Sequence, residues 1–196
     1  MFPESFDTDR LRHERLCHEN VDVFEFYRIC SSEDGIDEIT RYMPWSPHET
    51  VKETKAFIDE TERKWDDGES LKYIIRPKNR EDGSGEFAGL TGLKLDWSRR
   101  TGTQWIWLRK PFWGRGYNGE SALALIDLTL DRLDLGLFAV THAVENEKSR
   151  SAIERYIEMA GGQRDGLLRN WVPHDDHVSD EIRYTVTQDQ WQSRKT

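Results

Sequence analysis

The run Trp113-Gly114-Arg115-Gly116-Tyr117-Asn118-Gly119-Glu120 is where residue types and spacing could do chemistry. Three glycines let the main chain turn its amides toward one point. The amphipathic run that follows adds the first N–H groups of a helix, which lack intrahelical acceptors and lie at the positive end of the helix dipole. Such a cradle suits a phosphate, although the spacing alone also admits a plain strand-to-helix turn. No Gly-Lys-Ser/Thr follows, so it is not a Walker loop. A dinucleotide fingerprint would need an earlier strand, differently spaced glycines and a later acidic residue. Arg109, Lys110 and Arg115 put positive charge around the loop.

Groups able to move a proton are more scattered. His142 ends the apolar segment Leu137 to Val144, Glu145 follows it, and His174, Asp175, Asp176 and His177 crowd a later loop. His142 is the first choice as a base, with a strand histidine satisfied by packing as the alternative. Two histidines and two aspartates on one loop lack a third, separated ligand, so no metal is expected.

The elements that must position these groups follow from periodicity. A short alternation near Arg10 to Glu14 is strand-like. Asn20 is expected to cap a helix burying Val23, Phe26, Tyr27 and Cys30, broken at Asp34-Gly35. Ser46-Pro47-His48-Glu49 reads as a capping box before a stripe of Val51, Thr54, Ile58, Thr61 and Trp65, stopped by Gly68. Leu71 to Ile75, Phe87 to Trp97 and Thr103 to Arg109 predict an antiparallel meander. One helix is expected from Gly116 to Leu135 with Leu123, Ile126, Leu130 and Leu133 inward. A strand at Leu137 to Val144 comes next, then a helix capped by Asn146 that buries Ile153, Tyr156, Ile157 and Ala160. Two last strands lie around Gln163 to Leu168 and Glu181 to Thr187. This order predicts an α+β fold with helices on a mixed, mostly antiparallel sheet.

Composition narrows the class. The 196 residues are enough for one domain, 1–196, with no repeat or linker. With 22 aromatic residues the chain should fold despite its low mean hydropathy of -0.83. A formal charge of -9 argues against nucleic acid as a partner, which needs a basic face. No apolar run is long enough to span a membrane and no signal peptide is evident, so a cytoplasmic location is expected. Cys17 and Cys30 fall in apolar patterns and read as buried reduced thiols. Arginine outnumbers lysine, which with the acidic balance would also suit a salt-adapted host.

The glycine loop resembles the pyrophosphate loop of the GNAT superfamily of acyl-CoA-dependent N-acetyltransferases, in the version of the ribosomal-protein (Rim-type) subgroup. Asp7 to Arg12, Tyr42 to Pro47, Asn146 to Ser149 and Asp180 to Tyr184 look like the same subgroup, over roughly residues 8 to 190. The resemblance implies a splayed strand pair, with acetyl-CoA between the strands Thr103 to Arg109 and Leu137 to Val144. It also implies helices on both sheet faces. Ile106, Trp107 and Leu108 would contact the pantetheine arm, and the pyrophosphate would rest on Gly114, Arg115, Gly116, Tyr117, Asn118 and Gly119, beside Arg109. Asn146 would hold the arm, or simply cap its helix. A tyrosine expected seven residues after that asparagine is replaced by Ile153, which leaves Ser149 as the acid toward the thiolate. Tyr42, Trp45 and Trp171 would wall the acceptor pocket.

The implied activity is acetyl transfer from acetyl-CoA to a primary amine. A protein or peptide N-terminus acetylated by a monomer or homodimer is the first expectation. A small amine, such as an aminoglycoside or polyamine, and a non-catalytic acyl-CoA-binding module are the alternatives.

Overall fold

The computed structural model describes residues 2–175 and 177–195. The strands are β1 (Ser5–Asp7), β2 (Leu11–Arg15), β3 (Ser70–Pro77), β4 (Gly89–Asp96), β5 (Thr101–Leu108), β6 (Leu137–Ala143), β7 (Gln163–Pro173) and β8 (Val178–Thr187). The helices are α1 (Val23–Ser32), α2 (Ile36–Thr40), α3 (Val51–Asp66), α4 (Tyr117–Asp127), α5 (Glu147–Met159) and α6 (Gln188–Lys195). The strands form one sheet in the order β1-β2-β3-β4-β5-β6-β8-β7. The β1–β2, β2–β3, β6–β8 and β7–β8 pairs are antiparallel, and β5–β6 is parallel. The mixed, mostly antiparallel sheet read from the sequence is therefore present. No helix among the described residues is long and apolar enough to cross a membrane.

Contacts divide the chain into two compact units, with β4 and β5 running through both. The first holds residues up to Gly92 together with Ile106–Arg115. Its core gathers Phe26, Ile58, Leu71, Tyr73, Ile74 and Phe87, and the Phe26 and Phe87 rings lie 5.3 Å apart. Cys17 and Cys30 are buried free thiols there, as expected. The second holds Leu93–Trp105 and everything from Gly116, around Leu125, Ile126, Phe138, Ile153, Tyr156 and Val186. Each large side chain so buried stabilises its unit by about 1.5–3 kcal/mol before chain entropy is counted.

Helix starts differ from the sequence reading in register. Helix α1 is capped by Asp22, whose Oδ1 accepts from the Glu25 amide at 2.8 Å; Asn20 lies too early. The capping box of α3 is Thr50 with Glu53, one turn after the proline box. Thr50 Oγ1 accepts from the Glu53 amide, and a Glu53 carboxylate oxygen accepts from the Glu49 amide. The buried stripe of Thr54, Ile58, Thr61 and Trp65 is as expected.

The helix read as continuous from Gly116 to Leu135 ends as α4 at Asp127 and widens into a π-type turn, Leu128–Arg132, where the Leu133 amide reaches back five residues to Leu128 O. Of the expected stripe, Ile126 and Leu130 are buried and Leu123 only half so, with Leu125 buried beside it; past the extra residue per turn the phase shifts and Leu133 is half-buried. Helices α2 and α6, too short or too polar to show a stripe, were not anticipated.

Strand β7 is outermost in the sheet. Its pairing with β8 slips between Arg164 and Gly166 and again between Leu168 and Val172.

Candidate active site

The glycine loop is shaped by two left-handed residues. After a 3-10 turn over Lys110–Phe112, Gly114 has φ +74° and Gly116 has φ +79°. A Cβ on Gly114 would meet nothing within 4 Å, so glycine is needed there for the dihedral and not for space. Gly116 occupies the N-cap of α4 and offers no side chain to the helix start. The amides of Asn118 and Gly119 consequently have no acceptor within the helix. Asn118 Oδ1 is buried without a donor among the described residues.

The three cations around the loop are already engaged. Arg109 Nε donates to both Glu33 oxygens, at 2.6 and 2.8 Å, and its Nη1 to Phe87 O. Lys110 donates to Glu38. Arg115 donates to Asp82 through both terminal nitrogens, and its own carbonyl accepts from Arg10 at 2.9 Å. They fix the loop's shape, and local carboxylates offset much of their charge.

Before the loop, the parallel β5–β6 ladder runs from Thr101↔Leu137 to Gln104↔Val140 and stops, while β5 continues to Leu108 and β6 to Ala143. Trp107 is buried, its ring 5.7 Å from Trp45 and 6.0 Å from Phe87. Leu108 O accepts from the Trp113 indole at 2.7 Å, and the Arg109 amide donates to Ala88 O. Gly89 makes this approach feasible, since a Cβ there would lie 2.2 Å from Trp107 O. Ile106 is half-buried. On the last rung, Gln104 is 3% exposed; its Oε1 accepts from Tyr156 OH at 3.0 Å, and its Nε2 has no acceptor among the described residues.

After β6, Asn146 is an N-cap: its Oδ1 accepts from the Ser149 amide at 3.1 Å, which places Ser149 in the first turn of α5. Both uses foreseen for Asn146 remain compatible, because the cap consumes only the oxygen. His142 is 4% exposed. Its Nδ1 lies 2.8 Å from Ala143 O and its Nε2 3.5 Å from Tyr184 OH, which donates to Glu154, itself held by Arg150. Burial holds the imidazole below its ordinary range despite the Ala143 bond and the Glu154 charge, so the ring is neutral at pH 7. Of the suggested pocket walls, Trp45 packs as described, Tyr42 lies under the Arg41 guanidinium, and Trp171 projects from β7 at 53% exposure.

Sequence reasoning missed Gln104 and Glu181. Glu181 on β8 is 4% exposed, and burial pushes its carboxyl above the usual range while hydrogen bonds from Thr141 and Ser179 pull it back. Neither strand singles its residue out, since Gln104 follows Thr101-Gly102-Thr103 and Glu181 sits among Ser179, Asp180 and Arg183. In the later loop the His174 and His177 rings stack at 4.5 Å, and Asp176 lies outside the described residues. On the surface His18, Asp59 and Glu62 bring ligand atoms within 4.8 Å of one another, but Lys55 Nζ already sits 2.6 Å from Asp59.

A parallel β5–β6 ladder that ends at Gln104↔Val140 and a helix start led by glycine are the two features this site offers for comparison. The Acetyltransferase (GNAT) domain family matches residues 10–156, and the chain belongs to that family. It is 32% identical over 114 residues to "Putative ribosomal N-acetyltransferase YdaF" of Bacillus subtilis (strain 168), which covers 57% of this chain. The chain spans 59% of that relative's length. Among solved structures it resembles Microcin C7 self immunity acetyltransferase MccE in complex with acetyl-CoA and AMP, with a TM-score of 0.78 and 18% identity, over 95% of this chain and 97% of that one. It also resembles spermidine N-acetyltransferase from Vibrio cholerae in complex with CoA and spermine, with a TM-score of 0.71 and 17% identity, over 93% and 98%. Both likenesses concern the fold.

Proposed function

We propose that this protein transfers an acetyl group from acetyl-CoA to a primary amine, and that the amine is the N-terminus of a protein or peptide. The observation that carries the reading is the start of α4, an uncapped helix N-terminus delivered by Gly114 and Gly116 in left-handed conformations. Its main-chain donors suit the diphosphate. Asn118, turned about its amide axis, would replace its orphaned oxygen with a donor to the same anion.

The Gln104 Nε2 donor, buried without an acceptor where the β5–β6 ladder ends, suits an amide carbonyl of the pantetheine arm; leaving it unpaired costs about 1–3 kcal/mol. Ile106, Trp107 and Leu108 would line the arm, and Asn146 Nδ2 would donate to it.

Acetyl-CoA supplies the thioester. A neutral amine attacks the carbonyl carbon, the C–S bond breaks, and the thiolate takes a proton from Ser149, which recovers one from water. Buried neutral His142 is one acceptor for the proton the amine gives up. An α-amine with a pKa near 8 is partly neutral at pH 7 and asks little of a base, whereas a lysine near 10.4 asks far more. That chemistry and the name of the Bacillus relative support the N-terminal target, while a polyamine is the acceptor to compare it with.

The test is a panel of N-terminal peptides, polyamines and aminoglycosides with acetyl-CoA, read by free thiol and by a gain of about 42 Da per acetyl group. Thiol release with peptides is expected. Release with polyamines alone replaces the target, and binding without release with any amine overturns the transfer reading.

A further inference from the structure

Strand alternation separates two polar groups on β6 and β8. Ala143 pairs with Glu181, Thr141 with Arg183 and His142 with Ile182, so Thr141, Ala143 and Glu181 share one face while His142 and Tyr184 share the other. On the Glu181 face, hydroxyls connect the buried carboxyl in two directions. Thr141, half-exposed on β6, hydrogen-bonds to it. Ser179 Oγ donates to Glu181 Oε1 at 3.0 Å and lies 3.1 Å from Nε2 of His174, which is half-exposed beside the β7–β8 turn.

A carboxyl held out of water and flanked by two hydroxyls is costly for packing, since ionising it there is disfavoured. The same arrangement serves a proton path, because a hydroxyl can accept from one neighbour while donating to the other. We propose that Thr141, Glu181, Ser179 and His174 form the route by which the proton of the acceptor ammonium leaves, with Thr141 as its inlet and His174 as its outlet. This rests on the amine-acetylation reading.

The ammonium N–H proton passes to Thr141 Oγ as the hydrogen of Thr141 moves to the Glu181 carboxylate, leaving a neutral amine. Glu181 then gives its proton to Ser179 Oγ, whose own hydrogen turns to His174 Nε2, and the ring releases a proton to water. No oxidant or further reactant is needed. Glu181 is thus a relay residue acting through Thr141. The charges facing it are Glu145 from the loop after β6 and His174 from the hairpin. Its strand neighbours are engaged elsewhere, Asp180 with Arg169 and the Asn170 amide, and Arg183 with Asp165. Leu168 stands opposite on β7.

The experiment follows kcat from pH 6 to 9.5 with whichever amine the unmodified protein acetylates. Glu181→Gln is expected to turn over about tenfold or more slowly at pH 7, in line with loss of a positioned base. Its deficit should close as the pH approaches the amine's own pKa. KM for acetyl-CoA should stay within about twofold, and Tm at pH 7 should hold or rise because a buried charge is gone. Ser179→Ala, which keeps the carboxyl but cuts the wire, should give the same profile at smaller amplitude, and it carries the test if Glu181→Gln folds poorly.

A fall in kcat equal at every pH together with a lower Tm would mean a packing role and overturn the proposal, as would an unchanged profile. If the unmodified protein acetylates none of the amines, the transfer reading fails and takes this route with it. Transfer with an unchanged Glu181→Gln profile removes the route alone.

Discussion

On the proposed reading, the loop before α4 and the strand ends around Ser149 and Glu181 would solve different chemical problems with different parts of the chain. The first is built from main chain: two glycines set the dihedrals, the cap position is bare, and the nearby cations are committed to Glu33, Glu38 and Asp82. The second is built from side chains, with Asn146 capping Ser149, His142 against Tyr184, and Glu181 between two hydroxyls. A site for a large anion can rest on backbone donors, which tolerate neighbouring changes in side chain. Proton transfer requires particular groups in particular registers, so it should be the more easily broken by conservative substitution.

The sharpest way to break this contrast is Gly116→Val. A branched residue at φ +79° strains the helix start, and acetyl-CoA affinity by calorimetry should fall on the order of a hundredfold. Arg115→Gln, which spares the backbone, should cost less than about threefold. Equal losses would show that charge and not geometry forms the cradle.

Ser149→Ala should reduce kcat by about tenfold or more while acetyl-CoA affinity changes little. Unchanged turnover removes the hydroxyl from the reaction. Gln104→Leu removes the orphaned donor, so acetyl-CoA should bind about fivefold more weakly, and the unliganded Tm should fall because the buried Tyr156 hydroxyl loses its acceptor. An unchanged affinity detaches Gln104 from the arm.

The smallest effect is in acid stability. Burial, the leading cause for both His48 and His142, lowers their pKa values, so the unfolded chain takes up protons near pH 6.5 that the native state refuses. Their contribution is intact above that pH and is lost below it. Glu181, raised by burial, acts in the opposite sense and gains stability as it protonates. Melting followed from pH 7.5 to 5 should show a decline that His142→Gln makes shallower; an identical slope would mean His142 is charged in the fold.

The same contrast decides what was legible in the sequence. The left-handed turn into α4 could be read because glycines announce their dihedrals and the following stripe announces the helix. Likewise, Thr54, Ile58, Thr61 and Trp65 revealed α3 by period, although its cap had to be moved to Thr50. The carboxyl on β8 could not be read, since its significance comes from Thr141, about forty positions earlier, and from a strand register that no local pattern records. Gln104 and Tyr156 likewise meet across 52 positions. The π-type turn after α4 was hidden for a related reason, because a single widened turn leaves hydrophobic composition unchanged and alters only its phase.

The slips in β7 have a consequence for the protein in concentrated solution. An outermost strand normally presents a regular row of donors and acceptors that another chain can copy. Here the row is interrupted twice within eleven residues, so a would-be neighbour finds its partners out of step even though Leu167 and Trp171 offer it grease. The outermost strand is therefore a poor template for the addition of a further strand.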